Sequence, residues 1–290
     1  MFVTLGQQRI FFDVVGEKLA LEEQRMREKP TLIVMHGGPG FDHSVMRPGF
    51  DGFADVAQVL YLDHRGNGRS VPSDAATWTL AQWGDDVCAL CDALGIEKPI
   101  VLGQSFGGFV AQSYATRHPS HPLALILSST AARIDLPSSF ALFEAKGGRE
   151  ARAIAERFWT TGDDQDFADY MRVCMPLYNT TVDGGGQVTR QRAIVRPELY
   201  RHFSLPGREL LSTDFRPVLS RVACPTLVMG GMEDPITPPH LAREMAEAIG
   251  QPRATLRLFP GAGHGAFRDD PVPAYDAIRQ FIVQVTEATG

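Results

Sequence analysis

Short apolar runs alternating with helix-length amphipathic segments constrain this chain more than any other feature. The runs Thr31–Met35, Val56–Leu62, Pro99–Gly103, Leu123–Leu127, Pro225–Met229 and Ala254–Phe259 are nearly continuous in aliphatic and β-branched residues. A strand apolar on both faces must be covered on both faces. Parallel neighbours also need a long crossover between them, which a helix supplies. The expected class is therefore α/β, a mostly parallel sheet covered by helices. Helices are expected at Leu80–Leu94, Phe106–Arg117, Pro239–Ile249 and Pro273–Thr286. Thr79 with Gln82 makes a capping box for the first of these, and Gly95 suits its left-handed end. Arg9–Val15 reads as an edge strand or half of a hairpin.

The alternation stops between residues 132 and 215. Helical patterns at Phe140–Phe158 and Phe167–Met175 replace strands there, around a loop at Val182–Gly186. The chain thus reads as one core, residues 1–131 and 216–290, interrupted by a helical lid at 132–215. A lid over the carboxyl edge of the sheet would exclude water from a site there.

Gly103-Gln104-Ser105-Phe106-Gly107 fits G-x-S-x-G and sits where an apolar strand meets a helical pattern. A sharp turn at that junction lifts a serine hydroxyl above the sheet, and glycines flank it because a Cβ would collide with neighbouring backbone. No G-x-G-x-x-G or G-x-x-x-x-G-K competes as a phosphate turn. A serine hydroxyl is a weak nucleophile, so it needs a base, and the base needs an orienting carboxylate. Asp234 and His264 follow the strands Pro225–Met229 and Ala254–Phe259, in the chain order such a site requires. Glu233, next to Asp234, is the competing acid. Among the other histidines, His118 and His121 bracket Pro119, His202 lies in the lid, His240 opens a helix, and His36 and His64 end earlier strands. The expected catalytic residues are Ser105, Asp234 and His264.

The negative charge that develops during acyl transfer needs preorganised donors. His36-Gly37-Gly38-Pro39-Gly40 follows the first long strand, and Pro39 has no N–H to offer. The expected oxyanion donors are the backbone N–H groups of Gly38 and Phe106, with an unliganded glycine turn as the bland alternative. Gly37 and Gln104 flank the same point and are expected to touch substrate. Asp63-His64-Arg65-Gly66-Asn67-Gly68-Arg69-Ser70 reads as structural, with Asp63 and Arg65 tying loops together by charge-assisted bonds.

Bulk properties narrow the class further. There are 28 Lys plus Arg against 34 Asp plus Glu, a net charge of −6, and no basic stripe carries interleaved aromatics. Nucleic acid is not an expected partner. No apolar run approaches the ~20 residues that cross a bilayer, and the first residues lack a basic region followed by an apolar one, so no membrane partner and a cytoplasmic location are expected. Cys88 and Cys91 form a C-x-x-C inside a helical pattern with no second pair for zinc, and read as core residues. No metal and no organic cofactor is expected, and nothing in the pattern speaks to oligomeric state.

Taken together, His36–Gly40 (HGGPG), Asp63–Ser70 (DHRGNGRS), Gly103–Gly108 (GQSFGG), Glu233-Asp234-Pro235 and Gly263-His264 make the chain resemble the proline iminopeptidase-like group of the α/β-hydrolases. The resemblance covers the core and leaves the lid unmatched. It implies an α/β-hydrolase fold and a small-molecule or short-peptide substrate, cleaved at a small amide through an acyl-enzyme on Ser105. An aminopeptidase of this kind holds the substrate's amino terminus with carboxylates, which makes Glu144 and Glu198 candidate substrate-binding residues. Glu150, Glu156 and Glu209 are further lid carboxylates, and Pro235 removes one option beside the acid. The same group includes esterases and lactonases, so a small ester or lactone is the alternative substrate. A noncatalytic ligand-binding homologue is the third reading. An epoxide hydrolase is disfavoured, because an aspartate would stand where Ser105 does.

Overall fold

Central strands buried at nearly every position build the molecule from its middle outward. The computed structural model describes residues 1–181 and 191–288, so the loop expected at 182–186 lies outside the described residues. Strands β1 (Phe2–Leu5), β2 (Gln8–Val15), β5 (Thr31–Met35), β6 (Gln58–Leu62), β7 (Ile100–Gln104), β8 (Ala124–Ser128), β9 (Thr226–Gly231) and β10 (Ala254–Phe259) form one sheet. Its order is β1-β2-β6-β5-β7-β8-β9-β10. β1 and β2 pair antiparallel, as do β2 and β6, and every later pairing is parallel. A small exposed hairpin, β3 (Leu19–Leu21) with β4 (Met26–Glu28), stands apart.

Successive strand residues face opposite sides of a sheet, so the central strands feed two cores. Ile33, Met35, Val101, Leu125, Leu127 and Val228 pack on one face. Leu32, Val34, Ile100, Leu102, Ile126 and Met229 pack on the other. On the first face lies α1 (Leu80–Leu94), whose Leu80, Trp83, Val87, Leu90 and Cys91 recur at helical spacing and are buried. The Thr79 hydroxyl accepts the Gln82 N–H at 3.0 Å, and Gly95 takes φ 67°, as the sequence predicts. Packed beside α1 on the same face is α2 (Phe106–Arg117), in which only Arg117 reaches solvent. The second face is covered by α9 (Pro271–Glu287), through Ala274, Ile278, Phe281, Ile282 and Val285.

Between β8 and β9 the described chain is helical: α3 (Leu136–Thr161), α4 (Asp164–Asp169), α5 (Pro197–Ser204) and α6 (Glu209–Ser212). α7 (Pro239–Ile249) and α8 (Ala266–Asp269) follow within the core. Some elements differ from the sequence expectation. The strand expected from Val56 begins at Gln58, because residues 51–55 wind into a 3₁₀ turn and the Val56 and Ala57 N–H groups bond back to Phe53. The helix expected at 140–158 extends to 136–161, capped by Asp135 and bent where Gly148 adopts φ 74°. The helix expected at 167–175 starts at Asp164 and widens into a π turn at Tyr170–Cys174. Among the described residues no helix is long and apolar enough to cross a membrane.

Loops at the carboxyl edge are tied by charge, as expected of Asp63 and Arg65. Asp63 accepts the His43 and Arg69 N–H groups at 2.7 and 2.8 Å, and Arg65 grips Asp86 of α1 through its Nε at 2.7 Å. Cys88 is half-buried and Cys91 buried; burial first, then the neighbouring Cys88, pushes the Cys91 thiol up to about 12, which suits a packing role.

α2 also approaches β5 closely. A Cβ at Gly107 would lie 2.6 Å from the Met35 carbonyl oxygen and 2.7 Å from that of His36. Gly107→Ala is therefore expected to lower stability by about 1–3 kcal/mol, read as a lower urea midpoint. An unchanged midpoint would show that the α2–β5 contact yields without cost.

Candidate active site

Parallel strands end together, and that register sets the site. Met35 pairs with Gly103, Gly103 with Leu127, Ser128 with Met229, and Gly231 with Phe259. The loops after β5, β7, β9 and β10 consequently open on one edge, where ligands of open α/β sheets gather.

Ser105 stands between β7 and α2 with φ 54° and ψ −118°, a backbone conformation that non-glycine residues rarely adopt. The turn is held from both sides. The Ser105 N–H donates to the Ser128 carbonyl at 3.0 Å, and the Ser105 carbonyl accepts the Gly108 N–H at 2.9 Å and the Thr130 hydroxyl at 2.7 Å. Glycine is required next to it: a Cβ on Gly103 would sit 2.4 Å from the Gly107 carbonyl oxygen, and one on Gly108 2.4 Å from the Thr130 side chain.

Asp234 is fully buried, whereas its neighbour Glu233 is exposed. One Asp234 oxygen accepts the N–H groups of Ile236 and Thr237 at 2.8 and 2.9 Å. The other accepts the Thr237 hydroxyl at 2.7 Å and lies 2.8 Å from His264 Nδ1. With Nδ1 directed at this carboxylate, the other ring nitrogen, Nε2, is left free for a second partner. His264 is itself fixed: its N–H donates to the Tyr178 carbonyl at 2.7 Å, and the Tyr178 ring stands edge-on to the imidazole at 5.2 Å.

The loop after β5 passes over Ser105, close enough that a Cβ on Gly37 would be 3.0 Å from the Ser105 Cβ. His36 Nδ1 lies 2.7 Å from the Gly37 carbonyl oxygen. In a trans peptide the N–H points opposite to the C=O, so this bond turns the Gly38 N–H away from His36. Phe106 opens α2, where the first amides have no acceptor within the helix. Burial lowers the basicity of His36 and, more strongly, His64. Both imidazoles are therefore neutral; they pack 4.5 Å apart, and His64 stacks on Trp83 at 5.2 Å.

A cavity of about 1030 Å³, counting its open mouth, connects these groups. Gly37, Gly38, Gln104, Ser105, Phe106 and His264 all line it. Its other walls are largely aromatic, including Phe158, Trp159, Tyr170, Tyr178 and Tyr200 from the segment between β8 and β9. Phe158 stacks between Tyr170 and Tyr200 at 3.7 and 4.2 Å, which stiffens that wall. Among the described residues no aspartate or glutamate lines the cavity.

Glu144 and Glu198, expected to touch substrate, lie outside the lining. The Glu144 carboxylate pairs with Arg152 at 2.8 Å on a solvated helix face, and the Glu198 side chain is half exposed, 4.0 Å from Arg196. Glu209 instead caps α1, accepting the Leu80 N–H at 3.0 Å. Of the remaining histidines, His118 pairs with Asp85, His202 with the Trp78 carbonyl and His240 with Asp135, each in a structural contact.

Two further residues hold the site. Thr237, three positions after Asp234, carries a legible turn signal. Asp269 carries none, yet it accepts the Gly263 N–H at 2.7 Å, the Thr181 N–H and hydroxyl at 3.0 and 2.7 Å, and the Asn179 amide at 3.2 Å. It thereby pins the loop before His264 to the chain after Tyr178. Burial by itself raises the Asp269 carboxyl, but the bonds from Thr181, Gly263 and Asn179 together outweigh it and hold the group below its ordinary value.

The family profile described as alpha/beta hydrolase fold matches residues 30–271. A proline iminopeptidase of Lactobacillus helveticus (strain DPC 4571) is 30% identical over 286 residues, spanning 89% of this chain and 88% of its own. The crystal structure of proline iminopeptidase from Mycobacterium smegmatis superposes with a TM-score of 0.77 at 23% identity, covering 100% of this chain and 99% of that one. A thermophilic esterase from Thermogutta terrifontis, solved with malate bound, gives a TM-score of 0.71 at 28% identity over 98% of this chain and 96% of its own.

A depressed native carboxyl stabilises the fold above its unfolded value, about 3.9, and that contribution is lost as pH falls through the native value. Asp269→Asn should accordingly lower Tm near neutral pH, and the gap from the parent protein should close in acid. A gap independent of pH would refute the charged role of Asp269.

Proposed function

The chain belongs to the α/β-hydrolase superfamily and to its proline iminopeptidase-like group, and from that premise we propose a serine hydrolase that forms an acyl-enzyme on Ser105. The observation that carries the reading is the buried Asp234–His264 contact at 2.8 Å on the same cavity as Ser105. His264 Nε2 takes the Ser105 proton as Oγ attacks the substrate carbonyl carbon. Asp234 holds the tautomer and stabilises the imidazolium that forms, and the proton then passes to the leaving group. Gly38 and Phe106 offer their N–H groups to the developing oxyanion, the first aimed by the His36–Gly37 bond. Water repeats the sequence to release the acid. The helices between β8 and β9, residues 132–215, act as the lid, and their aromatic wall keeps the acyl group in a dry compartment.

An ester or lactone without a free amine suits this cavity best. Its described walls are mostly apolar and aromatic, with Arg268 as the charged side chain among them, and a free ammonium would meet no described carboxylate there. Aminopeptidase action on an N-terminal proline is the second reading, favoured by the 30% identical relative.

Ser105→Ala and His264→Ala are each expected to reduce kcat by about 10⁴–10⁶-fold, and Asp234→Asn by about 10⁴-fold. A fluorophosphonate should label the parent protein and fail to label Ser105→Ala; normal turnover in any of the three variants overturns the assignment. Turnover of a short nitrophenyl ester should exceed that of proline naphthylamide in kcat/KM. The reverse order would return the proline reading to first place.

A further inference from the structure

The cavity carries a cation that the proposed reaction does not use. Arg268 is half-buried and lines it; among the described lining residues it alone bears a fixed charge, since no lysine, aspartate or glutamate shares the wall. It belongs to α8, the short helix that follows His264. Its Nη1 donates to the His264 carbonyl at 3.4 Å and its Nη2 to the Val45 carbonyl at 3.3 Å, and both of those residues line the cavity as well. The guanidinium carbon lies 4.5 Å from the centroid of the Phe267 ring, which supports it from one side. The positive group is thereby held between the loops after β5 and β10. The aromatic wall of Phe158, Trp159 and Tyr200 comes from a different part of the chain, the helices between β8 and β9.

Other polar groups of the lining do not take this role. A Cβ on Gly265 would be 2.6 Å from Arg268 Nη1 and 3.4 Å from Gln104 Nε2, so the two side chains are neighbours. The Gln104 amide, like the Trp159 nitrogen and the Ser204 hydroxyl, is closed off from solvent and has no described partner, and none of the three reaches a ligand without moving. Arg268 has accessible surface on the cavity. A guanidinium presents five N–H donors in a planar fork that matches the two oxygens of a carboxylate, and two bonds of 3.3 and 3.4 Å to carbonyls do not cancel its charge. Apolar surroundings weaken screening, so an anion on the substrate is drawn to this point more strongly than in water. We propose that Arg268 forms a carboxylate-binding subsite, and that the substrates are esters or lactones bearing a second, free carboxylate, such as half-esters of dicarboxylic acids. Their apolar bodies lie against the aromatic wall. The proposal rests on the hydrolase reading for the bond that is cut, and on the placement of Arg268 for the anion.

The test separates binding from turnover. Ser105→Ala protein is titrated calorimetrically with monoethyl esters of linear dicarboxylic acids of increasing length, each beside the ester in which an amide replaces the free carboxylate. At the matching length the acid should bind about tenfold tighter than the amide, and the unmutated protein should show the same preference in kcat/KM. Adding Arg268→Gln should bring that ratio toward one, whereas Arg268→Lys, which keeps the charge, should retain part of it. If Arg268→Gln does not fold, the length series decides, because a cation fixed at one point favours a narrow range of lengths. No preference for the acid at any length, an equal preference at every length, or a preference that survives Arg268→Gln overturns the subsite. Failure of the hydrolase reading would appear separately, as no turnover of either ester while the binding preference remains.

Discussion

Everything at the carboxyl edge depends on how closely the first turn of α2 approaches β5. Gly107 brings its Cα against the Met35 and His36 carbonyls, leaving no room for a side chain. That contact closes the turn at Ser105 and forces its φ to 54°. It also carries the glycine loop after β5 across Ser105, because His36 and Gly37 continue directly from the strand that α2 touches. A strained residue persists only where its surroundings over-determine it. Here the surroundings are main-chain atoms of three adjacent strands, the least compliant part of the fold.

Charge is handled in two ways near this turn. Where a charge is retained, as at Asp234, it is surrounded by donors: two N–H groups, a hydroxyl and an imidazole. Where retaining it would be expensive, as at His36 and His64, burial keeps the ring neutral and packing on Trp83 fills the space. A neutral His36 can still donate from Nδ1 to the Gly37 carbonyl, and so sets the direction of the next amide without adding a positive charge beside Ser105. The same economy appears in the cavity, whose aromatic walls bring shape without described acidic groups.

The segment between β8 and β9 shows where reading by composition goes astray. Its glutamates drew attention as ligands for an amino terminus, yet Glu144 is held by Arg152 and Glu209 serves as a cap for α1. Its aromatic residues form much of the cavity wall. Glutamates on a helix face are solvated unless another element covers them, and the sequence carries no mark of which face is covered.

By itself the sequence determined the strand–helix alternation, the turn at Ser105 and the positions of Asp234 and His264 at strand ends. Each follows from local periodicity or glycine placement, which short-range sterics impose. Only the tertiary structure decided what those residues meet. The burial of Asp234 against the exposure of Glu233, the anchoring of the His264 loop by Asp269, and the aromatic rather than acidic wall all arise between segments far apart in the chain. Such contacts depend on how whole elements pack, and a pattern of neighbours along the backbone carries no record of that.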